Sequence, residues 1–164
     1  MFGNFTEEAR KVMVRAKIEM NSLKHPYVGS EHLLLAILYY DNDITHRLNE
    51  MGLDYKKFKN ELISIVGEGT NASNWFLYTP LLKRVIENAI LDSKDNKESA
   101  VGITHLFSSL LEEGEGIAIR IMLALDVDID ILYSEFSNRE IVKKSKKHKK
   151  LLVDEFGEDI TKKA

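Results

Sequence analysis

Residues 28–35, VGSEHLLL, decide the fold, because the chain repeats their pattern 73 residues later. Residues 101–107, VGITHLF, place valine, glycine, histidine and leucine in the same order and spacing, and an apolar run follows each copy. A repeat at a fixed period indicates a structural unit that is used more than once. We therefore predict that the chain consists of two copies of one unit.

The correspondence extends to both sides of this motif. Four further pairs stand in the same register: Phe5 with Tyr78, Thr6 with Thr79, Ile44 with Ile117, and Arg47 with Arg120. After a one-residue slip, Asp54 aligns with Asp128. We predict repeat one over residues 5–67 and repeat two over residues 78–136.

Each repeat is predicted to contain four helices. Thr6 is a suitable N-cap for the first helix, and apolar residues then recur at spacings of three and four, which is typical of one helix face. Thr79-Pro80, Asp54 and Asp128 are further start signals. No segment alternates as a half-buried strand does. The predicted fold is all-α, with two tandem four-helix repeats packed with pseudo-twofold symmetry.

Two local predictions concern burial. The second helix of repeat one, predicted from Glu31 to Tyr40 with Gly29-Ser30 as turn and cap, is apolar nearly all round. Such a helix lies at the centre of its unit. Residues 67–77 form the connector between the two repeats. Within it, Trp75 and Phe76 are predicted to pack against the domain rather than to face a ligand.

Composition limits the function classes. The formal net charge is -3, but residues 143–150 hold six lysines, so the rest of the chain carries -9. An acidic body disfavours nucleic-acid binding over most of its surface.

There is no cysteine and therefore no thiolate metal site. Without a signal peptide or an apolar run of about 18 residues, we expect a cytoplasmic protein that does not enter a membrane.

Together these pieces resemble the double Clp N-terminal domain of the Clp ATPases, and most closely the C-type unfoldases. The matching segments are residues 5–9, 29–34, 78–80, 83–86 and 112–118, with the end of the chain, residues 156–161, similar to the segment that leads into the first AAA+ module. The resemblance implies a Clp N-terminal domain over residues 1–140. It implies a basic linker and lead-in to an absent AAA+ ATPase module over residues 141–164.

The resemblance also implies a function. The domain would dock adaptor proteins and unfolded or arginine-phosphorylated substrates, and the ATPase modules would pass them to a Clp peptidase. It would carry no catalytic residue and no cofactor itself, with ATP bound elsewhere in a longer protein. The residues agree in that no G-x-x-x-x-G-K-[ST] phosphate loop is present. The alternative is a helical nucleic-acid-binding protein that uses the lysine-rich tail.

Glu31 is the most informative polar residue. It lies in the first turn of a helix, beside amides that have no intrahelical acceptor and suit an anion. A carboxylate beside amide donors fits a ligand with both a guanidinium and a phosphate. The alternative is that Glu31 stabilises the helix dipole with no ligand, by about 0.3–1 kcal/mol.

The resemblance assigns Glu31 to phosphoarginine recognition, together with Ser30, Gly29 and Thr6. It implies a second site at Gly102, Thr104 and Thr79. That second site lacks a carboxylate, because Thr104 stands where the family has a second glutamate, and Ile103 replaces the hydroxyl of Ser30.

The two histidines of the repeated motif, His32 and His105, are predicted to be partly buried and to bond nearby backbone. Further ligands at metal-like spacing are missing, so no metal site is expected.

Overall fold

The computed structural model describes residues 4–72 and 75–137, and these ranges contain eight α-helices and no β-strand. The helices of repeat one are α1 Glu7–Ser22, α2 Ser30–Tyr39, α3 Asp43–Glu50 and α4 Tyr55–Val66. The helices of repeat two are α5 Pro80–Asp95, α6 Ile103–Glu113, α7 Ile117–Ala124 and α8 Ile129–Phe136. The all-α fold is confirmed. The lysine-rich segment and the lead-in lie outside the described residues.

Four of the helices begin where the start signals predict. The Thr6 hydroxyl accepts a hydrogen bond from the Ala9 backbone N–H at 3.0 Å, and the Thr79 hydroxyl accepts from Leu82 at 3.1 Å. Asp54 and Asp128 cap α4 and α8 in the same way. Each cap satisfies one of the backbone donors that a helix start leaves without an intrahelical acceptor.

Helix α2 is the centre of the molecule, as its apolar composition predicts. It is buried from Ser30 to Leu38 and contacts α1, α3 and α4 of its own repeat as well as α6 and α7 of the other. One hydrophobic core therefore runs through both repeats, with Phe58 and Phe107 among its largest fully buried side chains.

The two repeats exchange backbone hydrogen bonds at their entry segments, the residues that lead into the first helix of each repeat (5–6 and 78–79). The Thr6 N–H donates to the Val101 carbonyl and the Thr79 N–H donates to the Val28 carbonyl, both at 2.9 Å. These bonds form two isolated parallel bridges, Phe5 with Val101 and Val28 with Tyr78. The start of the first helix of each repeat is thus bonded to the segment before the second helix of the other repeat.

The prediction for the connector is wrong for Trp75. Its side chain is 64% exposed, whereas Phe76 is half-buried and meets Tyr78 edge to face. The connector runs over the surface and is held to repeat one through Gly69, whose N–H donates to the Leu23 carbonyl, and through Leu77, whose carbonyl accepts from Val28. In a surface loop only some side chains face the domain, and Trp75 faces away from it.

None of the helices in the described part of the chain combines the length and the apolar content that crossing a bilayer requires.

Candidate functional site

The predicted site residues lie in two places, at the starts of α2 and α6. The two threonines, Thr6 and Thr79, lie at the opposite places from those predicted. The Thr79 N–H bonds the carbonyl of Val28, so Thr79 lies beside Gly29 at the start of α2. Thr6 lies beside Gly102, because its Cγ2 is 3.8 Å from the position of a Cβ on that glycine. The predicted grouping of Thr6 with Glu31, and of Thr79 with Thr104, is therefore corrected. The cause is the crossing of the two entry segments.

We call the two places site one and site two. Site one consists of Gly29, Ser30, Glu31 and Thr79, at the start of α2. Site two consists of Gly102, Ile103, Thr104 and Thr6, at the start of α6. Each site thus combines a motif from one repeat with an N-cap threonine from the other.

The histidines of the repeated motif close both helix starts. The Gly29 N–H donates to His32 Nδ1 at 2.9 Å, and the Gly102 N–H donates to His105 Nδ1 at 2.9 Å. This confirms the prediction that both histidines bond nearby backbone. Since a neutral imidazole has one donor and one acceptor nitrogen, each of these bonds leaves the proton on Nε2.

Ser30 does not cap α2, which corrects the sequence prediction. Gly29 is the N-cap, and Ser30 is the first residue of the helix, with 1% of its surface exposed. Its hydroxyl has no hydrogen-bond partner and faces Gly116, the N-cap of α7, at 3.0 Å from the position of a Cβ there. The starts of α2 and α7 therefore converge on this hydroxyl, and Gly116 leaves the room for it.

The carboxylate of Glu31 folds back onto the start of its own helix. It lies against Gly29, with Oε1 2.5 Å from the position of a Cβ on that glycine, and it accepts a hydrogen bond from its own backbone N–H. Burial raises the pKa of Glu31, which its own N–H and the neighbouring His25 partly offset. The carboxylate thus occupies the anion position of α2, and it must turn away from this amide to meet a guanidinium.

A chain of hydrogen bonds behind site one involves His25, which the sequence analysis did not single out. His32 Nε2 and His25 Nδ1 are 2.8 Å apart, and His25 Nε2 is 2.7 Å from the Gly67 carbonyl oxygen. Because Gly29 bonds His32 Nδ1, the directions follow: His32 Nε2–H donates to His25, and His25 Nε2–H donates to Gly67. The chain ties the end of α1 and the start of α2 to the C-cap of α4.

The bond from Gly29 requires an unprotonated Nδ1 on His32, so a proton added to this ring would break that bond. Burial, and then the neighbouring His25, lower the pKa of His32 to about 3.

We therefore expect the domain to lose stability below about pH 6.5. The unfolded chain protonates His32 near its ordinary pKa of about 6.5, whereas the folded chain resists until about pH 3. Between these values the unfolded state binds more protons than the folded state. As the pH is lowered, the free energy of unfolding therefore falls by up to about 1.4 kcal/mol per pH unit for this one group. Denaturant unfolding at several pH values measures the slope.

The matched variant is His32→Asn, which keeps an acceptor for the Gly29 N–H. The raised pKa of Glu31 contributes a slope of opposite sign, so the comparison is the difference between wild type and His32→Asn. A shallower slope in His32→Asn than in the wild type is expected. Equal slopes for wild type and His32→Asn would contradict the assignment.

Site two has a different electrostatic environment. Glu98 takes the register position of His25, and its Oε1 lies 3.5 Å from His105 Nε2. The first turn of α1, directly after Thr6, carries the exposed acids Glu7 and Glu8. These two side chains line a cavity of about 450 Å³ together with Lys11, Tyr40 and Asp41. The carboxylates around this entry disfavour a phosphate.

Sequence reasoning missed His25 and Glu98, although the 73-residue register places them opposite each other. Among the described residues, no group of three or more acidic or histidine side chains is arranged to hold a metal ion.

The chain is similar to known proteins over most of its length. The family described as "Clp repeat (R) N-terminal domain" matches residues 4–106 and 77–154. A relative from Bacillus subtilis, "Negative regulator of genetic competence ClpC/MecB", is 37% identical over 131 residues, which are 79% of this chain and 16% of that protein. The chain thus spans about a sixth of the length of this relative.

Solved structures share the fold. The N-terminal domain of the chaperone ClpD from Arabidopsis thaliana superposes with a TM-score of 0.73 at 24% identity, covering 85% of this chain and 96% of that one. A second structure, a complex of the ClpV N-domain with VipB peptide, has a TM-score of 0.63 at 18% identity and covers 83% of this chain and 86% of that one.

Proposed function

Because the chain belongs to the Clp repeat N-terminal domain family, we propose that it docks substrates and adaptor proteins for an ATP-dependent Clp unfoldase. Family membership carries this proposal. The ClpV N-domain, which has the same fold and was solved in complex with a peptide, supports it further. We assign no catalytic step to these residues, since the matched family is a repeat domain at the N-terminus of its relatives. ATP hydrolysis and delivery to a peptidase would belong to other parts of a longer protein.

Within this role, site one is proposed to recognise phosphorylated arginine. The observation behind it is that a buried carboxylate and the amides of a helix start lie together at α2. The amides suit the phosphate, and the carboxylate of Glu31, once turned outward, suits the guanidinium. The hydroxyl of Ser30, which has no partner, is a further donor between the starts of α2 and α7.

Calorimetric titration with phosphoarginine tests this proposal. We expect one site per chain, because site two has Thr104 in place of a carboxylate and acids at its entry. Arginine and inorganic phosphate are the matched control ligands, and each should bind at least about tenfold more weakly, since each makes only half of the contacts. Two equal sites, or equal affinity for arginine, would contradict the assignment of phosphoarginine to site one.

The nucleic-acid alternative depends on the lysines of residues 143–150, which lie outside the described residues. No observation on the described residues favours it, and we do not propose it.

A further inference from the structure

The outer face of α1 exposes two aliphatic side chains, Val14 and Ile18. They are 58% and 47% exposed, and their spacing of four residues places them next to each other on one face of the helix. In the rest of α1, the apolar side chains from Ala9 to Met20 are buried in the core. These two therefore form an apolar strip that points away from the domain.

Basic side chains flank this strip on both sides. At about 100° per residue, Arg10 and Lys17 lie along one edge, and Lys11 and Arg15 lie along the other. Arg15 already forms an ion pair with the buried Glu19, at 2.7 Å from Nε to Oε2. We call the other three cations, Arg10, Lys11 and Lys17, with Val14 and Ile18, the α1 face.

Aromatic rings and backbone hold the cations of the α1 face in place. Lys17 lies 4.2 Å from the ring centre of Phe76, and Lys11 lies 5.5 Å from that of Tyr40. Arg10 donates to the Phe5 carbonyl at 2.8 Å. Cations that are already positioned lose less freedom when they meet an anion.

The equivalent face of repeat two keeps two basic residues, Lys83 and Arg84 at the positions of Arg10 and Lys11, but lacks the rest of this arrangement. In the 73-residue register, Glu87 replaces Val14, Asn88 replaces Arg15 and Ile90 replaces Lys17. Leu91 replaces Ile18 and is 56% exposed. Since both repeats form the same helix without sharing this surface, the fold does not require the α1 face.

We propose that the α1 face docks an acidic amphipathic helix of a partner protein, with two aliphatic residues four positions apart and glutamates or aspartates on either side. Charge complementarity selects this partner: the face holds three cations against the one exposed carboxylate of Glu7, which lies on the same line of α1 in its first turn. The chain without its lysine cluster at 143–150, by contrast, carries -9. The aliphatic pair of the partner would cover Val14 and Ile18. This inference rests on the docking role proposed above but not on phosphoarginine recognition at site one.

The test uses a synthetic amphipathic peptide with leucines four residues apart and glutamates on both sides, titrated by calorimetry. The control peptide replaces the glutamates with lysines. We expect the acidic peptide to bind one site per chain, to weaken as ionic strength rises, and to bind at least about tenfold more tightly than the basic peptide. The double variants Val14→Ser/Ile18→Ser and Lys11→Glu/Lys17→Glu should each lose at least about tenfold in affinity.

Leu91→Ser on α5 is the matched control and should bind like wild type. No binding of the acidic peptide, equal binding of the basic peptide, or wild-type affinity in Lys11→Glu/Lys17→Glu would overturn the proposal. Phosphoarginine titrated into the same samples reports on site one separately. If it binds while the acidic peptide does not, the α1 face is refuted and the docking role at site one stands.

Discussion

Replacing Glu31 with alanine is expected to weaken phosphoarginine binding about ten- to a hundredfold. The variant loses the only carboxylate at the start of α2 that could pair with the guanidinium, and a hydrogen bond to a charged group is worth about 1.5–3 kcal/mol. Since about 1.4 kcal/mol is a factor of ten in affinity, this loss gives the expected range. Isothermal calorimetry on wild type and variant measures it.

Inorganic phosphate separates this role from a general loss of the site. In the wild type the carboxylate of Glu31 bonds its own amide and competes with an anion there. Glu31→Ala removes this competitor, so its affinity for inorganic phosphate should stay the same or rise while its affinity for phosphoarginine falls. Loss of both ligands would indicate a damaged helix start, and retention of phosphoarginine binding would show that Glu31 does not meet the guanidinium.

Two further variants complete the set. Glu31→Gln keeps the shape of the side chain without its charge and should behave like alanine toward phosphoarginine. Thr104→Ala changes the equivalent position of site two and should leave phosphoarginine binding unchanged.

The second large effect concerns folding: neither repeat is expected to fold alone. Helix α2 is buried from Ser30 to Leu38 and needs α6 and α7 as cover. A separated repeat would also lose the bonds from Thr6 to Val101 and from Thr79 to Val28. A unit of about 60 residues buries too little surface to tolerate such an exposed face.

Expression of residues 4–72 and 75–137 as separate fragments tests this, with residues 4–137 as the control. Circular dichroism and denaturant unfolding should show one cooperative transition for the control and none for either fragment. Mixing the fragments should restore helical structure, because the interface between the repeats is intact in each. Two fragments that unfold cooperatively with the stability of the whole would refute the shared core.

The repeat therefore has one architecture and two chemical environments. Site one has a buried carboxylate and the hydrogen-bonded pair His32 and His25 behind it, with Pro80 and Leu81 on the helix that enters from the other repeat. Site two has a threonine and the His105–Glu98 contact, with Glu7 and Glu8 on the entering helix. These differences all fall at equivalent positions, so the two sites have diverged while the backbone kept its form.

The sequence alone was sufficient for most features that depend on near neighbours. The all-α class, the caps at Thr6, Asp54, Thr79 and Asp128, and the backbone bonds of His32 and His105 follow from residues within four positions of each other. The two repeats follow from the pattern that returns after 73 residues. Local hydrogen bonds and helical periodicity determine these features, and both can be read along the chain.

Only the tertiary structure decided which residues meet across the chain. It placed Thr79 beside Gly29 and Thr6 beside Gly102, turned Ser30 toward Gly116, buried the carboxylate of Glu31 and left Trp75 exposed. An internal repeat shows that two units exist, but two packings of the units share the same sequence pattern. The exchange of hydrogen bonds between the entry segments selects one of them, and those bonds join residues that are 95 and 51 positions apart.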